Sequence, residues 1–128
     1  MITPRSESVA VNIPHKGILV LGGRLQTRLD TVELLEFHAH NKYAWHSIAP
    51  MLTPKISALA AYYNKFVFVC QFFSAEQDLE VFNTYSGQWT RVSCPNQVNR
   101  CIVKCSLTVF DGKLLLGGRF SKYILFFS

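Results

Sequence analysis

At 128 residues, with 49% hydrophobic and only 16% charged residues, the chain is long enough to bury a core and too apolar to stay disordered. Its formal net charge of +5 is spread singly along the sequence, which permits an acidic partner and gives no reason to expect nucleic acid. Ten Phe, five Tyr and two Trp favour strands over helices.

The first residues, Met1-Ile2-Thr3-Pro4-Arg5-Ser6, hold no apolar stretch of the kind a secretion signal needs. A first strand is expected near residues 8–13, then a turn at Pro14-His15-Lys16-Gly17, then an apolar strand Gly17-Ile18-Leu19-Val20-Leu21 that ends on Gly22-Gly23. Asp30 to Phe37 is rich in helix formers, but its place in a repeat argues for a strand holding Leu35-Glu36-Phe37. A further strand carries Trp45. Ala49-Pro50-Met51-Leu52-Thr53-Pro54-Lys55 closes the unit, and the order then begins again. Ser57 to Tyr63 is the next first strand, and Lys65 to Cys70-Gln71 takes the place of the glycine-terminated strand. Leu79-Glu80-Val81 and Trp89 follow. Asn64-Lys65 and the strand-forming aromatics break Ile56 to Phe73 as a membrane-helix candidate, so no membrane is expected. A third pass runs through Ile102 to Phe110, the hairpin signal Asp111-Gly112, and Lys113 to Gly117-Gly118.

Successive copies lie about 50 residues apart, which is the signature of a repeat architecture. The Leu-Glu pairs and the tryptophans recur at one common spacing, Leu35 to Leu79 and Trp45 to Trp89. Each unit reads as four short antiparallel strands joined by tight turns.

This combination resembles the kelch repeat. The Gly-Gly pairs, the tryptophans and the Met51-Leu52-Thr53-Pro54-Lys55 stretch match its pattern, while the aromatic-Asp position has decayed to His38-Ala39 and Phe82-Asn83. The resemblance implies an all-β, incomplete propeller with one blade at residues 6–50, a second at 51–96 and most of a third at 97–128. Completion by further blades or by self-association is then expected, because a ring needs at least about four blades.

The resemblance also implies a non-enzymatic protein-interaction module, with substrate recognition in a ubiquitin-ligase adaptor as one form of it. Its binding rim would gather Arg24, Arg28, Lys55, Arg100 and Arg119 and take an acidic protein or peptide through guanidinium forks. The alternatives are a fragment of a galactose oxidase-like propeller enzyme, whose copper is held by Tyr and His, or a truncated product without independent function. No catalytic residue, metal or cofactor is expected from the residues themselves. Cys101 and Cys105 lack the second close pair a zinc site needs, and His38, His40 and His46 stand near no nucleophile. Cys70, Cys94, Cys101 and Cys105 form no C-x-x-C pair and are expected as thiols in a reducing, cytoplasmic compartment.

Overall fold

The computed structural model describes residues 1–71, 78–92, 106–118 and 121–125. These residues form strands and turns, and no helix among them is long and apolar enough to cross a membrane.

The first sheet contains β1 (Val9–Ile13), β2 (Gly17–Leu21), β5 (Val32–His38) and β6 (Lys42–Ile48), in that order and all antiparallel. Between β2 and β5 the chain makes a two-stranded ribbon, β3 (Arg24–Leu25) with β4 (Thr27–Arg28). The second sheet repeats the plan with β7 (Leu59–Tyr63), β8 (Phe66–Gln71), β9 (Asp78–Asn83) and β10 (Gln88–Val92). The third contains β11 (Ser106–Phe110), β12 (Lys113–Gly118) and β13 (Ser121–Leu125). The expected first strand of the third unit is seen from Ser106 onward, and its residues 102–105 lie outside the described residues.

Period-two alternation puts apolar residues on both faces of the second sheet, which stacks between the other two. Between the first two sheets lies a core of Ile13, Leu19, Leu21, Val32 and Leu34 against Met51, Val67, Val69 and Phe82. The opposite face of the second sheet sets Ala61, Phe68, Cys70 and Leu79 against Leu114 of the third. The inner strands β1, β7 and β11 run side by side along the stack.

Strand pairing fixes which residues correspond between units. Val9 and Leu59 both face the last residues of the second strand, at Leu21 and Cys70. Val20 faces Glu33 and Val69 faces Glu80. Leu35 faces Trp45 and Phe82 faces Trp89. The tryptophans therefore correspond as expected, but the Leu-Glu alignment is corrected: Glu80 matches Glu33, not Glu36. The first unit is longer by two residues between its second and third strands and by three in the β5–β6 hairpin.

Gly22 and Gly23 adopt φ of 60° and 95° where the second strand turns into the ribbon. The amide of Gly23 donates to the Lys55 carbonyl at 2.8 Å, and a Cβ there would stand 2.5 Å from the Ser6 carbonyl oxygen. Glycine is thus required because the segments leading into the first and the second sheet, at Ser6 and Lys55, pass directly over the pair. The second unit solves the same corner differently. Gln71 is buried, and its side-chain oxygen accepts the Ile56 amide at 2.7 Å.

Candidate rim and buried ion pairs

The ribbon β3–β4 carries two of the expected rim cations. Arg24 and Arg28 are directly opposite each other and exposed, with Gln26 at φ 65° in the turn between them. Reciprocal backbone bonds between Ser6 and Arg24, at 3.0 and 2.8 Å, stitch the ribbon to the segment leading into β1. Two like charges directly across a ladder repel each other, and an anion placed between them removes that cost. This pair can therefore grip a carboxylate or phosphate through two guanidinium forks.

Lys55, expected on the same rim, is fully buried instead. Its ammonium is ion-paired with Glu80 and also donates to the Thr53 hydroxyl at 2.6 Å. Lys55 is thus enclosed within the stack, where a ligand arriving at the rim does not meet it. Arg100 and Arg119, and the cysteines Cys94, Cys101 and Cys105, lie outside the described residues.

The same ion pair occurs in both of the first two units, and nothing near either cation in the sequence marks its partner. In the first unit Arg5 reaches Glu33 at 2.6 Å, with both side chains almost wholly enclosed. Glu33 also accepts the Ile2 amide at 2.5 Å and the Thr3 amide at 3.3 Å. In the second unit Glu80 accepts the Leu52 amide at 2.5 Å and the Thr53 amide at 3.1 Å. The Ile2-Thr3-Pro4-Arg5 and Leu52-Thr53-Pro54-Lys55 segments are thus one device used twice. An apolar residue and a threonine give two amides, proline shapes the bend, and the cation returns to the same carboxylate. Burial pushes the Glu33 carboxyl up, but the two amides and the Arg5 guanidinium outweigh it and hold it below its ordinary value.

Among the described residues, the histidines do not assemble the tyrosine–histidine set that a galactose oxidase-like copper centre requires. Among the described residues, the side chains grouped closely enough to hold an ion are Glu36, His38 and His46, on the outer strands β5 and β6. Tyr43 lies on the other face of that hairpin, against Phe37, and His15 sits in the turn after β1. These residues do not fit such a copper centre, and no step through copper follows from them. A cleft of about 390 Å³ on the outer half of the second sheet is lined by Tyr63, Phe66, Phe68, Val81, Thr90 and Val92. Asn64, Asn83 and Gln88 add polar groups to its edge, and no charged group lines it.

No protein-family model matches the chain, and no curated protein matches it. Among solved structures the chain is similar to a novel fungal alcohol oxidase of the AA5 family, with catalytic diversity in that family, in complex with copper. The two share 15% sequence identity at a TM-score of 0.68, over 89% of this chain. The chain spans 27% of that oxidase's length. This finding corrects the expectation of a non-enzymatic interaction module serving a ubiquitin-ligase adaptor. The neighbour is an oxidase, which favours the alternative of a galactose oxidase-like propeller fragment. The stacked antiparallel sheets and this likeness together show the chain to be an all-β, incomplete β-propeller.

Proposed function

We propose that this chain is a scaffold segment of a longer propeller enzyme of galactose oxidase-like architecture, supplying blades and a rim while the copper ligands come from elsewhere in that protein. The observation that carries the proposal is an equivalence between two sheet faces. Phe82 and Trp89 of the second sheet pack toward the first, with ring centroids 4.9 Å apart and the Trp89 indole N–H donating to the Ala49 carbonyl at 2.8 Å. Their counterparts in the first sheet, Leu35 and Trp45, point the same way along the stack, away from the second sheet and toward the position of a preceding blade. Phe37 and Tyr43 extend that face and are 52% and 60% exposed. An apolar face built from the residues that dock one blade on another suits another blade.

The kelch-type resemblance supports the same architecture. On the rim, Arg24 and Arg28 suit an acidic protein segment adjoining the ring. The test is copper-dependent alcohol oxidation by the longer protein that carries the remaining blades, compared with the 128-residue chain. The expected result is oxidation by the longer protein and none by this chain. A longer protein that binds no copper and oxidises no alcohol would overturn the proposal.

A further inference from the structure

The β5–β6 hairpin has the longest strand pairing in the first sheet, seven residues on each side, and its outer end presents a chemistry that the stacking does not use. Leu34 faces His46, Glu36 faces Ala44 and His38 faces Lys42 across the ladder. Alternation therefore puts Leu34, Glu36, His38, Ala44 and His46 on one face of the hairpin. Leu34 is the last of these to enter the core, and beyond it the face opens to solvent.

We propose that Glu36, His38 and His46 bind one divalent cation of the zinc or copper class at this outer corner of the first blade. One ligand atom from each lies within 4.8 Å of the others. The His46 Nε2 to Glu36 Oε2 distance is 3.3 Å. A tetrahedral ion with bonds of about 2.0–2.1 Å holds its ligands about 3.4 Å apart, so this edge is already set. The His38 and His46 rings are 6.2 Å apart and inclined at 78°, and a side-chain rotation closes the remaining two edges. Ala44, opposite Glu36, is small enough for the carboxylate to lean across the hairpin toward His46.

Donor type decides the metal. Two imidazoles and one carboxylate suit zinc or copper, whereas magnesium and calcium want oxygen alone. Three protein ligands on an open face leave a fourth position for water. As a carboxylate–imidazole contact alone, with side chains 48% and 38% exposed, the pair contributes little to folding. The like charge on this face is Lys42, paired across from His38 on a long exposed side chain that can swing into solvent. His40, at φ 66° in the hairpin turn, is not one of the three.

The site is tested on the 128-residue chain with zinc chloride as the probe. One equivalent of zinc shifts the imidazole NMR signals of His38 and His46 and leaves those of His15 and His40 unchanged. Replacing a supporting partner around a metal costs roughly 10–100-fold in affinity, so His46→Ala, which removes a ligand, weakens uptake at least tenfold. His40→Ala does not weaken it. Cupric EPR of the same variants reads two-nitrogen ligation whatever the size of the particle, and one nitrogen is lost in His38→Ala. Cobalt uptake with a thiolate charge-transfer band would place the ion on cysteines and overturn the proposal. So would zinc uptake that His46→Ala leaves unchanged, or no saturable uptake at one equivalent.

Discussion

The first two units each enclose a carboxylate reached by two amides and a cation from one short segment, and in the second the Thr53 hydroxyl donates to Glu80 as well, at 3.0 Å. Arg5 spreads its guanidinium over Glu33, Thr31 and the Gly22 carbonyl, so it ties the lead-in segment to two strands at once. Removing one member of a buried pair leaves the other charge uncompensated and costs about 3–5 kcal/mol. Glu33→Gln is therefore expected to lower stability by about 3 kcal/mol in urea unfolding. It also changes the response to acid. The native Glu33 carboxyl titrates below its ordinary value of 4.5, so its stabilisation is complete above that pH. It is lost as the pH falls through the lower native value. The melting temperature of the Gln variant is expected to fall less steeply across that acid range than that of the parent chain. In the second unit, Lys55→Met alone is expected to cost about 3–5 kcal/mol. Lys55→Met with Glu80→Gln is expected to recover part of it, because the amide oxygen still accepts from Leu52 or Thr53 and no bare charge remains. Equal losses in the single and double variants would show that the ion pair is not what holds the segment.

At the scale of elements, hairpins and their corners were legible and their register was not. Glycine pairs, Asp111-Gly112 and the tryptophans locate strands because each answers a local need: positive φ, close approach or a large anchor. Asp30 to Phe37 holds helix formers yet becomes β5, because Val32 and Leu34 are claimed by one neighbour and Leu35 by the other face. Leu35-Glu36 and Val32-Glu33 lie three residues apart, and either fits Leu79-Glu80 by spacing. The longer β5–β6 hairpin hides the right choice, and the strand register together with the burial of Glu33 reveals it. The ribbon β3–β4 was invisible because two residues per strand carry no period. Lys55 misled for a different reason: a cation beside proline in a connecting stretch looks solvated, and its partner lies 25 residues away. Backbone clash ranks the corners. Gly23→Ala meets the Ser6 carbonyl and is expected to cost more than about 2 kcal/mol. Gly87→Ala, at φ 72° with nothing within 4 Å, is expected to cost about 1 kcal/mol. Chemical denaturation of both variants checks the order.

Among the described residues, stability comes from contacts between sheets, with the second sheet apolar on both faces. Trp89 links the second sheet to the first through Ala49, whereas Trp45 repeats its position on a face that meets no described sheet. Trp89→Phe removes that hydrogen bond and is expected to lower stability by about 1 kcal/mol, with Trp45→Phe costing less. Equal effects would mean that the two faces are equivalent in the isolated chain, through association with another copy or by some other cover. The repeat period made the stacked blades readable from sequence, whereas any chemistry was not, because the described residues reveal their groupings only through long-range packing.

The central claim is that these blades are built to continue into neighbours. Light-scattering mass combined with a thermal melt of the 128-residue chain tests it most directly. The account predicts association into species heavier than 14.6 kDa, with a melting temperature that rises with concentration, because the face bearing Leu35, Phe37, Tyr43 and Trp45 seeks a partner. A monodisperse monomer of 14.6 kDa that unfolds in one cooperative step would contradict it.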